Sequence, residues 1–166
     1  MGYHIYIGEH IVRKENEAFF HSVIFTVAAD APVFICAGND NFLSLSYTDF
    51  RQMAQVLGGE FAARFCGSNS WISSAYPCGE AIFPVNSSEI AFFEQTLAEY
   101  QARSHKPSYA EAVMGVKHAE EFFQMMGLPQ AFLVPGYDWI SDRLNWFIFW
   151  MKRTLVSCRH PVVFFH

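Results

Sequence analysis

The segment from Asp138 to Ser157 constrains this chain more than any other. Ile140, Leu144, Phe147, Ile148, Met151 and Leu155 recur at helical spacing and define one apolar face. Trp146 and Trp150 stand four residues apart and make the adjacent face apolar too. A helix that is apolar around much of its circumference has to be covered on several sides, so this one is expected at the centre of the fold. Its most apolar stretch, Trp146 to Met151, is far shorter than the roughly 20 residues that span a bilayer, so no membrane association is expected.

Composition agrees with a buried architecture. Of 166 residues, 52% are hydrophobic and 17% aromatic, while 16% are charged. Charge that low excludes intrinsic disorder and a long solvated coiled coil. The length fits a single domain over residues 1–166, large enough to build a core without disulfides or a structural metal. The net charge is -5, and the 11 basic residues are scattered. No basic stripe offers phosphate neutralisation, which argues against a nucleic-acid partner. Cys36, Cys66, Cys78 and Cys158 form no C-x-x-C pair. The opening MGYHIYIG lacks the layout of a secretory signal, so the expected location is the cytoplasm, with reduced thiols.

Local patterns give the elements. Tyr3–Ile7 alternates and reads as a strand, and Ala18–Ala28 reads as a second. The charged residues 9–17 between them read as an exposed turn. After Pro32, Val33–Cys36 reads as a third, edge-like strand, and 37–46 as turn chemistry. Thr48 is placed to cap a helix over about 49–57, which Gly58-Gly59 stops. Residues 60–85 carry Gly and Pro punctuation and read as irregular. Asn86 and Glu89 form a capping box ahead of a helix whose face is Ile90, Phe93, Leu97 and Tyr100. Ser108 and Glu111 form a second box, followed by a stripe from Ala112 to Met126 that Gly127 and Pro129 end. The apolar tail Pro161–His166 is expected to pack on the body or add a strand. The expected fold is therefore α+β, with N-terminal antiparallel strands packed against three to four helices.

Chemistry-bearing motifs are sparse. There is no G-x-S-x-G, P-loop, Rossmann fingerprint or H-E-x-x-H, so no catalytic residue, metal or cofactor is assigned. A thiolate nucleophile needs a base or positive charge, and neither Cys66 nor Cys78 has a histidine close in sequence. Tyr137 and Asp138 with Arg143 are a candidate polar set, because Arg binds carboxylate or phosphate bidentately. The plainer role for Asp138 is to cap its helix. Asn39 and Asn41 flank Asp40 as a candidate amide cluster, although Asx residues beside Gly38 are first of all turn formers. Phe65, Asn69, Trp71 and Tyr76 are a candidate partner-binding surface, since Trp and Tyr dominate interface hot spots. The plainer role for those aromatics is core filling.

Three blocks resemble a family of small, largely uncharacterised proteins of bacteria and their phages. Tyr3-His4-Ile5-Tyr6-Ile7-Gly8 resembles the family's Tyr-Asp-Ile-Tyr-Ile-Gly, with His4 in place of the acid. Asn39-Asp40-Asn41, followed by Ser46-Tyr47, is similar to its Asn/Gly segment and Ser-Tyr-led helix. Gly136-Tyr137-Asp138, Arg143-Leu144, Trp146, Trp150 and Cys158-Arg159-His160-Pro161 resemble its C-terminal helix. The resemblance implies a bacterial or phage cytosolic setting and no settled activity.

The leading expectation is a non-catalytic binding protein that docks a partner protein, a toxin or host defence component, as an anti-defence or immunity inhibitor. An alternative gathers Asn39, Asn41, Ser46, Tyr47, Tyr137, Asp138 and Arg143 around one pocket for a small molecule or nucleotide, as a binder or weak enzyme. A further alternative is a structural homo-oligomer that uses the tail 161–166.

Overall fold

The computed structural model describes residues 2–16, 18–24, 30–66, 81–109, 111–112 and 136–165. Among these, the strands are β1 (Gly2–Glu15), β2 (Ala18–Ile24), β3 (Phe42–Ser46), β4 (Ala81–Pro84) and β5 (Pro161–Phe165). The helices are α1 (Tyr47–Leu57), α2 (Gly59–Cys66), α3 (Ser87–Gln101) and α4 (Trp139–Ser157). The fold is α+β, as the patterns predict.

All the pairings are antiparallel, and the sheet runs β2-β1-β5-β4 with β3 also paired to β1. Ile5 and Tyr6 pair with both β3 and β5, so these two strands lie on opposite edges of β1. Glu9 pairs with both Ile24 of β2 and Pro161 of β5, so β2 also lies opposite β5. One edge of β1 therefore carries β3 and then β2 in succession. The C-terminal tail is not peripheral: β5 lies between β1 and β4, and Val162 to Phe165 are buried.

Helix α4 occupies the expected central place, packed against α3 and against β1 and β5. Trp139, Trp146, Phe147 and Met151 are fully buried, and Trp150 nearly so. Leu155, expected to face the core, is 37% exposed at the last turn. Phe93 of α3 packs on Phe147, 5.2 Å between centroids. Each such burial stabilises the fold by roughly 1.5–3 kcal/mol.

Several local signals that depend on residues three or four apart hold, whereas Thr48 lies inside α1, which begins at Tyr47, and does not cap it. The Asn86 side chain accepts the Glu89 N–H at 2.9 Å. The Glu89 carboxylate leaves the box and pairs instead with Arg64 of α2 at 2.9 and 3.0 Å. Ser108 and Glu111 make both reciprocal capping bonds, at 2.9 and 3.2 Å. Gly58 ends α1 with φ 66, its N–H donating to the Ala54 carbonyl.

Four expectations are corrected. Residues 9–15 are strand, because they pair with β2, and the charged side chains of Arg13, Lys14 and Glu15 are exposed beyond the body of the sheet. The connection is short: Glu15 pairs with Ala18, and Asn16 takes the left-handed conformation at φ 49 that tight hairpins require. Val33–Cys36 is not a strand but a turn, closed by reciprocal Phe34 and Gly38 backbone bonds at 2.8 and 2.6 Å. Within 37–46, Phe42–Ser46 is β3, because the edge of β1 needs partners there. The irregular 60–85 segment begins as helix α2 and ends as β4. The expected continuation of the second strand over 25–28, and the stripe and stop from Val113 to Pro129, lie outside the described residues.

Candidate functional site

One face of α4 fastens the segment 30–41 to the body. Asp142, Trp146, Phe149 and Arg153 are spaced four, three and four apart, so they form one stripe. Arg153 holds Asp30 through two bonds, at 2.8 and 3.1 Å. Phe149 packs against Phe34, with ring centroids 5.9 Å apart. Trp146 donates its indole N–H to the Asp40 carbonyl at 2.8 Å. Asp142 accepts the backbone N–H groups of Ile35 at 3.3 Å and Cys36 at 2.8 Å.

The turn held in this way has two sides. Phe34 points inward and is 8% exposed. Its neighbours Val33 and Ile35 point outward, 79% and 51% exposed. A tight turn thus presents two apolar side chains to solvent while its backbone is tied down by a carboxylate.

The chemistry beneath the turn is protective. The Tyr137 hydroxyl donates to Asp142 at 2.8 Å. Burial, the Asp142 hydrogen bond and its negative charge push the Tyr137 phenol well above its ordinary range, with Arg143 opposing. Burial, then the charge and hydrogen bond of Asp142, likewise push the Cys36 thiol well up, again against Arg143. Both groups therefore stay protonated, the reverse of what a nucleophile or general base requires. Arg143 is 1% exposed and lies over Trp139 at 4.8 Å and Tyr109 at 5.7 Å. Trp139 is itself tied to the Pro107 carbonyl at 3.1 Å.

The expected site residues separate. Tyr137 bonds to Asp142, while Arg143 lies over Trp139 and Tyr109. Asp138 caps α4, accepting the Ser141 N–H at 3.0 Å and its hydroxyl at 2.6 Å. Asn41 is 3% exposed and clamps β1: its carbonyl accepts the Ile7 N–H at 3.1 Å and its amide donates to the Ile7 carbonyl at 2.7 Å. It fills the break between β3 and β2 on that edge. Asn39, two residues before it, is exposed. Phe65, expected on a docking surface, is fully buried, with Phe50 5.3 Å and Phe93 5.9 Å away in edge-on contact. It is a core residue, because α2 turns that face onto α3. The side chains of Ser46, Tyr47 and Cys66, and all of Asn69, Trp71, Tyr76 and Cys78, lie outside the described residues.

Sequence reasoning missed Val33, Ile35, Cys36 and Asp142. The available signal was the stripe itself: an acid, two aromatics and a cation at helical spacing next to the core face. Among the described residues, no group of three or more His, Cys, Asp or Glu side chains could hold a metal ion. No helix of the described residues is long and apolar enough to cross a membrane. Comparison with family models, with curated proteins and with solved structures gives no match to this chain.

Proposed function

We propose that this chain is a non-catalytic binding protein that docks a partner protein through the turn at 32–38. The carrying observation is the apolar pair Val33 and Ile35, exposed on a turn whose Ile35 and Cys36 N–H groups both donate to Asp142. A binding loop that is already ordered loses little entropy on association, so most of its burial energy counts toward affinity. Exposed apolar side chains on an anchored loop suit a protein surface better than a small polar ligand. The protonated Cys36 and Tyr137, and the inward-facing Asn41 and Arg143, favour binding over acid–base or thiol chemistry. The bacterial or phage setting, and with it an inhibitor of the anti-defence or immunity type acting in the cytoplasm, rests on the resemblance of the three sequence blocks.

A photo-crosslinking residue at position 33 tests this in bacterial lysate. The expected result is one stoichiometric crosslinked protein, lost in the Val33→Asp, Ile35→Asp double variant while circular dichroism is unchanged. Retention of the partner by that variant would defeat the turn assignment. Sedimentation of the purified chain distinguishes a second copy: a dimer that the double variant dissolves would replace the foreign partner with self-association.

A further inference from the structure

The outer half of β1 and strand β2 form an arm. Pairing with β3 ends at Tyr6 and pairing with β5 at Glu9, so beyond His10 the neighbour of β1 among the described residues is β2. A two-stranded hairpin is marginal in water, so side-chain contacts across it carry weight. The register sets His10 opposite Val23, Val12 opposite His21 and Lys14 opposite Phe19. These six residues share one face, on which His10 and His21 are diagonal neighbours.

The two imidazoles meet edge to edge. His10 Nε2 and His21 Nδ1 are 3.0 Å apart. The ring planes differ by 15°, with centroids 5.2 Å apart. Coplanar rings at that nitrogen separation make an in-plane hydrogen bond, in which one nitrogen donates and the other offers its lone pair. The bond survives with both rings neutral, and it strengthens when one becomes an imidazolium. With two imidazolium rings both nitrogens carry hydrogen, and no lone pair remains.

We infer that His10 and His21 are a pH-operated clip on this arm, closed while at least one ring is neutral and opened by the second protonation. The facing groups can be named. His160, at the junction of α4 and β5, accepts the His10 backbone N–H on its carbonyl at 3.0 Å. Glu9 accepts the His160 N–H at 3.1 and 3.0 Å. Lys14 stands on the same face as the pair, its ammonium 5.7 Å from the Phe19 ring centre. Burial, His21 and His160 lower the His10 pKa, with Glu9 opposing. A lowered value means that the neutral His10 ring favours the folded arm above the ordinary histidine pKa, and that this contribution is lost as pH falls through the folded one.

The test is nuclear magnetic resonance on the full chain between pH 4.5 and 8, following the ring nitrogens of His10 and His21 and the amide exchange of residues 18–24. The expected titration has two macroscopic steps at least about one pH unit apart. Below the lower step, arm amides exchange at least about threefold faster than above it, after correction for intrinsic rates. In His21→Gln, which leaves His10 as the one titrating ring of the pair, that acid acceleration is smaller. Independent titration of both rings at the ordinary histidine midpoint would overturn the clip. So would wild-type exchange that does not respond to pH, or an acceleration that persists undiminished in His21→Gln.

Discussion

Asp142 accepts the backbone N–H of Cys36 at 2.8 Å across 106 residues of chain. Its neighbouring acid, Asp138, caps its own helix. The difference is one turn of helix. Position 138 meets the free N–H groups of its own first turn, whereas position 142 sits on the stripe that reaches another part of the chain.

Removing that acceptor exposes its cost. Asp142→Ala leaves the Ile35 and Cys36 N–H groups and the Tyr137 hydroxyl without their acceptor. The expected loss is about 2 kcal/mol in urea unfolding, and Tyr137→Phe, which removes one donor and keeps the clamp, should lose about 1 kcal/mol. Equal effects of the two variants would mean that the backbone clamp adds nothing.

The two asparagines should behave oppositely. Asn41→Ala strips the buried Ile7 carbonyl of its side-chain donor and should cost about 2 kcal/mol. Asn39→Ala, at an exposed position, should stay within about 0.5 kcal/mol of wild type. Thermal unfolding of the pair decides it, and a large effect at position 39 would contradict its exposed placement.

Tyr100 predicts an alkaline limit. Its hydroxyl is buried with no hydrogen-bond partner among the described residues. Burial and the charge of Asp138 push its pKa up to about 12, with Arg103 opposing. A raised value means that its contribution is whole below the ordinary phenol pKa and is lost as pH climbs toward 12. Tyr100→Phe should therefore be neutral or slightly stabilising at pH 7, and should lose less stability than wild type above about pH 10. Stability profiles that remain parallel through that range would contradict the burial of the hydroxyl.

Cys36 should be slow to react. Alkylation of the folded chain at pH 8 is expected to be at least about tenfold slower at Cys36 than in the unfolded chain, since the thiolate is the reactive form. Asp142→Asn removes the negative charge that raises the thiol pKa, so it should speed the reaction. Peptide mass spectrometry after a short pulse reads both rates.

Legibility in the sequence followed distance along the chain. The Ser108–Glu111 box, the Asn86 cap, the Gly58 stop and the Phe93 face were all readable, because each depends on residues a few positions apart. Glu89 shows the boundary: the same carboxylate could close its box or reach Arg64, and only the approach of α2 selects the second. The charged run at 9–15 reads as a turn until β2 is known to lie beside it. At the expected polar site, Tyr137 turns to Asp142, a residue that the sequence pattern does not single out, while Asn41 and Asp138 are used for the backbone.

By itself, the sequence determined that a helix from about 138 to 157 had to be central, because no other arrangement removes so many Trp and Phe side chains from water. It did not determine what that helix would hold. The tertiary structure decided that Asp142, Trp146, Phe149 and Arg153 grip residues 30–41, leaving Val33 and Ile35 outside. The physical reason is that apolar burial is non-directional and shows in composition and spacing. Hydrogen bonds between distant segments exist only once the chain has brought donor and acceptor within about 3 Å.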